Sequence, residues 1–395
     1  MTDPPVELGE ALLGDPMTGY AELRGSGRIH RATAPDDAPV WLVTGFRDVR
    51  ELAGDARLAL DKRHARTRGS AGDSLPPELD AHLLNTDGVD HRRLRALVGG
   101  ALGPRRIRTL RDGVRATTDR LLDAMTDGQR VDVLAELAMP LSMTVISDLL
   151  GIPDVDRLDF SAWTDTLLSP VPGAPARSRA AMREMHAFLV ALITTKRAAP
   201  SDDLLGDLIT AHDAGARLSE AELVAMAFLL LFGGYHNSAA LVATTVMALL
   251  THPAHRRALD AGRLTMGEVT EEVLRWNPPT MLAVRRFAVR DTRIAGSPVR
   301  AGERVWLSWA AGNRDPRAFE DPDAFNPSRA TTGHLAFGHG AHYCVGAALA
   351  RLENEIAVTS LLSRFPRLAL ACHPDELAWR PSLRSRALVA LPVTL

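Results

Sequence analysis

The chain has 395 residues, with 46 Lys and Arg against 48 Asp and Glu and a formal net charge of −2. This near-neutral balance argues against nucleic acid as the main partner, and two cysteines are too few for a disulfide framework. The N-terminal segment has neither a basic cluster nor an apolar run, so we expect a cytoplasmic protein without a signal peptide or membrane anchor.

The first predicted elements are a strand and a helix. Residues 40–44 form a short β-like run, and an amphipathic helix begins at Phe46. Residues 61–82 are polar and contain Gly, Ser and paired prolines, which predicts a loop region.

The next helix is predicted to open near Asp87, where an acidic side chain suits the positive end of the helix dipole. His91 and Arg95 lie four residues apart and therefore share one face of this helix. From Arg92 to Arg115 the chain carries eight arginines and a single acid, Asp112. This local surplus is either a solvated helix face or a surface that attracts an acidic partner.

Residues 116–215 are predicted to be helical throughout, with breaks where Gly, Pro or Ser interrupt the pattern, at 151–153, 170–175 and 200–201. We find no chemical motif in this segment.

The longest predicted helix runs from a capping box, Ser219 and Glu222, to Thr251. It has no permanently charged residue between Leu223 and Leu250, which on hydropathy alone suggests a transmembrane span. The polar residues within 233–238 argue against a span. We therefore predict the central helix of a large core.

The C-terminal part alternates helices with short strands. Glu272 and Arg275 stand three residues apart on one face of a helix. Residues 300–307 alternate as a strand, and residues 380–393 predict a hairpin.

A cysteine at the start of a helix is the main chemical feature of the sequence. Gly338 and Gly340 precede Cys344 and allow tight or left-handed turns, and Gly346 lets the backbone pass close to a flat ligand. A thiol just before a helix lies at the positive end of the helix dipole and near unpaired N–H groups, which stabilise a thiolate. Such a position suits a metal-bound sulfur.

The pattern FGxGxHxCxGxxLAR, from Phe337 to Arg351, closely resembles the haem-binding loop of the cytochromes P450, and every fixed position is filled. The alternative is a buried structural cysteine in a glycine-rich turn. The resemblance implies that the Cys344 thiolate is the axial ligand of the iron of haem b. It also implies haem contacts from Phe337 and Gly346. The haem propionates would be bound by His91, Arg95, Arg286 and His342. Arg285 would replace Arg286 if the register shifts by one residue.

The resemblance runs from about residue 39 to the C-terminus, with residues 1–38 weakly matched, and implies a single domain over 1–395. The implied fold is mainly α with small β-sheets, a triangular helical prism around a buried haem, in which residues 61–82 form a lid over the substrate. Glu272 and Arg275 would form a structural ion pair, although Ala324 stands where the family commonly has an arginine as third partner. Substrate contacts are implied for Met281, Leu282, Ala283 and Arg384.

The middle of the long helix departs from the family pattern. Gly233, Gly234 and Tyr235 match, but the usual acid and alcohol that relay protons are replaced by His236 and Asn237, followed by Ser238. An imidazole can deliver protons near neutral pH, whereas an amide does not titrate. The segment is either a modified catalytic site or a core histidine beside a helix distortion.

The resemblance implies an enzyme that activates dioxygen to hydroxylate or epoxidise a small organic substrate in secondary metabolism. Electrons would come from NAD(P)H through a ferredoxin-type partner on the basic proximal face, with no nucleic acid or membrane involved. One alternative is radical coupling or cyclisation of the substrate without oxygen insertion. Another is a haem-containing binding protein without catalysis.

Overall fold

The computed structural model describes residues 5–66, 75–153, 156–168, 175–215, 218–329 and 333–395. Part of the predicted lid, residues 67–74, therefore lies outside the described residues. The helices are α1 (Leu8–Leu12), α2 (Pro16–Ser26), α3 (Phe46–Ala53), α4 (Pro77–Asp80), α5 (Gly88–Ala101), α6 (Pro104–Asp123), α7 (Met139–Leu150), α8 (Arg157–Leu168), α9 (Pro175–Ala198), α10 (Leu204–Asp213), α11 (Glu220–Gly234), α12 (His236–Thr251), α13 (Pro253–Asp260), α14 (Met266–Trp276), α15 (Trp309–Asn313) and α16 (Ala347–Arg364).

The strands are short and form three small sheets. They are β1 (Val6–Glu7), β2 (Ile29–Thr33), β3 (Pro39–Val43), β4 (Leu58–Ala59), β5 (Arg130–Asp132), β6 (Arg286–Ala288), β7 (Thr292–Ile294), β8 (Ser297–Val299), β9 (Arg304–Leu307), β10 (Ala369–Leu370) and β11 (Pro392–Thr394). The largest sheet has the order β1-β2-β3-β9-β6-β4, and the others are β10-β11-β5 and β7-β8. The fold is mainly α with small sheets, as the sequence predicts.

The core is built around α11 and α12, which are apolar on nearly every side. Helix α12 packs against α7, α14 and α16. The stretch Glu220–Thr251 is long and apolar enough to cross a membrane, but 67% of its apolar window is buried inside the protein. It is the central core helix that the sequence predicts, and the capping box formed by Ser219 and Glu222 is confirmed.

The central helix is not continuous, which corrects the prediction of one unbroken helix. It is interrupted at Tyr235, whose φ and ψ are −80° and −77°. A Cβ on Gly234 would lie only 2.7 Å from Cδ1 of Ile146, so α11 ends against α7 through a glycine. The Asn237 side chain donates to the Gly233 carbonyl across the break (3.2 Å). The helix distortion considered from the sequence is therefore present.

Three segments have helix or strand boundaries that differ from the sequence prediction, because strand pairing depends on residues far away in the chain. Strand β5 and a π-helical turn, Leu134–Ala138, interrupt the segment predicted to be helical, since β5 pairs with β11 at the other end of the chain. The predicted strand over 300–307 narrows to β9. The predicted C-terminal hairpin is present around residues 380–387, but β11 leaves it to pair with β5 and β10.

Candidate functional site

The loop before α16 holds Cys344 in one backbone conformation. Gly338 and Gly340 have φ values of +76° and +74°, which non-glycine residues rarely adopt. A Cβ on Gly340 would also lie 3.3 Å from Cα of Gly54. The Cys344 N–H donates to the Phe337 carbonyl (2.8 Å), which closes the loop. Both glycines are therefore needed for the turn.

The Cys344 sulfur accepts hydrogen bonds from the N–H groups of Gly346 and Ala347 at the start of α16. Burial by the surrounding protein raises the pKa of the thiol. These two N–H groups and the charges of Arg95 and Arg351 act in the opposite direction. The sulfur is thus placed where an electrophilic centre would complete the stabilisation of a thiolate.

The side chains behind the loop are fixed by an ion pair. The Arg351 guanidinium lies 4.5 Å from the centroid of the Phe337 ring and donates to Glu271 (2.6 and 2.9 Å). His334 also contacts Glu271 (3.1 Å). Burial alone would raise the pKa of Glu271, but the contacts with Arg351 and His334 lower it to about 2. Phe337 is therefore held firmly beside the cysteine loop.

A second group of cationic and imidazole side chains faces the loop from α5. The rings of His91 and His342 have centroids 3.9 Å apart, and His342 lies 3.7 Å from Asp87. Within the described residues, Nε2 of His91 and Nδ1 of His342 have no hydrogen-bond partner although both atoms are buried. Burial and the neighbouring charges of His342 and Arg95 lower the pKa of His91 to about 4.

Arg286 belongs to this group, and Arg285 does not. Arg286 is buried, donates to the carbonyls of Ala53 (3.3 Å) and Val284 (3.2 Å), and interacts electrostatically with Asp87. Burial lowers its pKa to about 10. Arg285 interacts with different charges, described below. Of the two arginines, Arg286 is thus the better candidate to act together with His91 and His342.

These residues fit haem b. The thiol supplies the soft ligand that iron takes in haem-thiolate proteins, and the unpaired nitrogens of His91 and His342 need acceptors. Arg95 and Arg286 add positive charge, which suits the two propionate carboxylates of the cofactor.

The break in the central helix holds the polar residues His236 and Asn237. The His236 ring lies edge-on to Tyr235, with centroids 4.4 Å apart. Asn237 accepts a hydrogen bond from Thr280 (3.3 Å). His236 and Asn237 are half-buried. The structure therefore places the atypical pair at the distortion, next to the segment that follows α14.

Glu353 was not found by sequence reasoning. It lies fully inside the protein on α16, where it accepts hydrogen bonds from Ser142 and Ser238. Burial raises its pKa to about 7, and the two serines partly oppose this effect. A signal existed in the sequence, because Glu353 falls on the apolar stripe of α16 with Leu349 and Ile356.

The predicted substrate segment has most of its side chains turned into the core. Met281, Leu282 and Ala283 are buried in apolar clusters, whereas Thr280 and Val284 are half-buried. Thr280 and Val284 are therefore better candidates for lining the pocket than the three buried residues. Arg384 lies at the tip of the C-terminal hairpin, where its carbonyl accepts the N–H of Met281 (2.7 Å).

The predicted ion pair of Glu272 and Arg275 is confirmed, and both side chains are fully buried. The third partner, which was in doubt from the sequence, is Arg329, whose Nε lies 3.2 Å from Glu272. Arg275 donates in addition to the carbonyl of Ala324 (3.0 Å). A residue five positions further along the chain thus replaces the expected arginine.

Comparisons with known proteins agree with this geometry. The cytochrome P450 family model matches residues 265–376. The cytochrome P450 monooxygenase PikC of Streptomyces venezuelae is 41% identical over 390 residues, covering 98% of this chain and 92% of PikC. Myxobacterial cytochrome P450 CYP267B1, solved with myristic acid, has a TM-score of 0.91 at 38% identity over 97% of both chains. The cytochrome P450 CxnD, an enzyme for C–S bond formation in chuangxinmycin biosynthesis, has a TM-score of 0.93 at 33% identity over 100% of this chain and 98% of its own.

The sequence match and the structural matches all extend over nearly the whole chain. The chain therefore belongs to the cytochrome P450 family and is a haem b-containing monooxygenase.

Proposed function

We propose that this protein hydroxylates or epoxidises a small organic substrate, with Cys344 as the axial thiolate ligand of the haem iron. The observation that carries the proposal is the position of the Cys344 sulfur, which accepts hydrogen bonds from two N–H groups at the start of α16. When bound, haem b supplies the iron at which dioxygen is activated, and the thiolate favours cleavage of the O–O bond.

The haem propionates are assigned to four side chains, with Phe337 and Gly346 beside the sulfur. Buried polar atoms without a hydrogen-bond partner cost free energy, and Nε2 of His91 and Nδ1 of His342 are such atoms among the described residues; each can donate to a carboxylate in the tautomer or charge state that protonates it. Charge-assisted hydrogen bonds to carboxylates would satisfy them. The four side chains are His91, Arg95, Arg286 and His342.

Proton delivery to the distal side is assigned to Ser238 and Glu353, with His236 and Asn237 nearer the substrate. Glu353 has a pKa of about 7, so it can hold or release a proton near neutral pH. Its hydrogen bond to Ser238 connects it to the first turn of α12. Asn237 is held by Gly233 and Thr280 and orders water or substrate without titrating.

The electron donor is a ferredoxin-type protein that receives electrons from NAD(P)H and docks on the proximal face. The basic segment, residues 92–115, offers this electron donor less unpaired positive charge than the sequence suggests. Three of its arginines form ion pairs within the protein, Arg93 with Glu222, Arg106 with Asp207 and Arg111 with Glu355. The docking surface is narrowed to the exposed residues Arg92, Arg105, Arg108 and Arg115.

A second candidate function is bond formation between two parts of the substrate without oxygen insertion. The observation that favours it is Asn237, which stands where the family has an alcohol for proton relay. CxnD forms a C–S bond and shares the fold at 33% identity. Its biosynthetic role also supports secondary metabolism as the setting for this protein.

One experiment separates these functions. The purified protein is reduced under carbon monoxide, and turnover with a surrogate ferredoxin system is followed by product mass in labelled dioxygen. We expect a thiolate-type spectrum for the wild type, its loss in Cys344→Ser, and a product that contains one labelled oxygen. An unlabelled product that contains a new bond between two parts of the substrate would favour coupling. An unchanged spectrum in Cys344→Ser would show that Cys344 is not the iron ligand.

A further inference from the structure

Arg285 is a buried guanidinium that has no hydrogen-bond partner among the described residues. The residue is 7% exposed, and its Nε and Nη2 atoms form no hydrogen bond in the part of the chain that the structure describes. Buried arginines are normally paired, because desolvation of the charge is costly unless an acceptor compensates for it. The unpaired fork therefore suggests that an acceptor comes from outside the protein.

The acids around Arg285 are already engaged. Asp80 is bound by Lys62 and by Asn85 (2.8 Å), and Asp36 accepts two hydrogen bonds from Arg304 (2.9 and 3.0 Å).

Arg384 adds a second positive charge close to Arg285. Burial and the charge of Arg384 lower the pKa of Arg285 to about 10. His82, which is 5% exposed, also feels the charge of Arg285, and its Nδ1 is buried without a partner among the described residues. An anion would relieve both the repulsion and the missing hydrogen bonds.

This group of side chains is separate from the one assigned to the haem propionates. Adjacent side chains of an extended chain point to opposite faces, so Arg285 and Arg286 are directed apart. Arg286 interacts with the charge of Asp87, which lies beside His342, whereas Arg285 interacts with the charges of Arg384, Asp80, Arg304 and Asp36.

Arg285 is nevertheless connected to the distal side by its own segment. Thr280, which contacts Asn237, lies five residues before it, and Met281 is bonded to the hairpin tip at Arg384. At about 3.3 Å per residue, an extended segment of this length spans roughly 16 Å. A substrate that reaches from Arg285 to Asn237 must therefore be elongated.

We propose that Arg285, with Arg384 and His82 beside it, binds the carboxylate of an elongated organic acid and so selects acids as substrates. This inference rests on the proposed function, because it concerns the substrate of the same haem site. A planar guanidinium presents two N–H groups in the geometry of a carboxylate.

The test uses myristic acid and methyl myristate, two probes of the same chain length that differ in the anionic group. Each is titrated into the wild-type holoenzyme, Arg285→Gln, Arg285→Lys and the control Arg290→Gln, and the Soret shift gives the dissociation constant. Arg290 is an exposed arginine five residues further on, so its replacement makes the same charge change at the surface. We expect the wild type and the control to bind the acid at least about tenfold more tightly than the ester. Arg285→Gln should lose this preference, and Arg285→Lys should retain part of it.

Three outcomes would overturn the proposal. The wild type could bind acid and ester equally, Arg285→Gln could keep the preference, or Arg285→Gln could lose haem while Arg290→Gln keeps it, which would assign Arg285 to the cofactor. The carbon monoxide spectrum is recorded before each titration. A wild type without the thiolate spectrum would reject the proposed haem ligation itself, which is a different result. If Arg285→Gln does not fold, Arg285→Lys decides, because an undiminished preference for the acid would show that the guanidinium fork has no role.

Discussion

The proximal and distal sides of the haem site hold their polar groups in different ways. On the proximal side, Cys344 is fixed by backbone hydrogen bonds, and Arg351 is locked onto Glu271 and the Phe337 ring. On the distal side, the central helix breaks, and His236 and Asn237 are half-buried at the break. The contrast teaches that the side chains around Cys344 are held by the backbone and by ion pairs, whereas those at the helix break are only half-buried and remain open to a ligand.

The largest expected effect concerns the rigid side. Arg275→Met should lower the free energy of unfolding by about 3 kcal/mol or more, because Glu272 would remain buried with only Arg329 as a cationic partner. Urea unfolding measures the change. The control is Arg47→Met, which removes an exposed pair with Glu51 and should leave the transition unchanged. Similar transitions for the two variants would mean that the buried pair does not stabilise the proximal side.

A pH-dependent effect is expected for Glu353, which connects the two sides. Its pKa is raised from an ordinary value of 4.5 to about 7, so the folded state binds more protons and its stability falls as the pH rises through this range. Glu353→Gln removes the titration. The free energy of unfolding of Glu353→Gln, measured relative to that of the wild type, should rise by up to about 3 kcal/mol between pH 4.5 and pH 8. A constant difference across that range, measured by urea unfolding, would contradict the raised pKa.

A smaller effect tests the break in the central helix. Gly234→Ala should destabilise the protein by about 1–3 kcal/mol, because the new Cβ would overlap Ile146. Gly233→Ala is the matched control, since no atom of the described residues lies within 4 Å of a Cβ at that position. Adding Ile146→Val to Gly234→Ala should recover part of the loss, because it removes the methyl group that overlaps. Equal thermal midpoints for the two single variants would show that α11 does not need a glycine against α7.

The sequence predicts the proximal side better than the distal side for a physical reason. The Cys344 loop and the shared face of His91 and Arg95 depend on residues close together in the chain, where glycine conformations and helical spacing decide the geometry. The break at Tyr235 and the third partner Arg329 depend on tertiary contacts that no local pattern contains. The partners of Glu353, Ser142 and Ser238, likewise lie far from it in the chain, although the sequence does show that Glu353 falls on the apolar stripe of α16.

The central claim is that protons reach the distal side through His236 and the pair of Ser238 and Glu353, without the usual acid and alcohol. The most direct test measures product formed per NAD(P)H consumed, together with the dissociation constant, in His236→Ala, Ser238→Ala and Asn237→Thr on one preparation with one substrate. His236→Ala and Ser238→Ala should each lower the yield more than about tenfold with little change in affinity, because proton transfer follows binding. Asn237→Thr, which supplies a hydroxyl, should keep or raise the yield. Unchanged yields in both His236→Ala and Ser238→Ala would contradict the claim and leave these residues as helix packing.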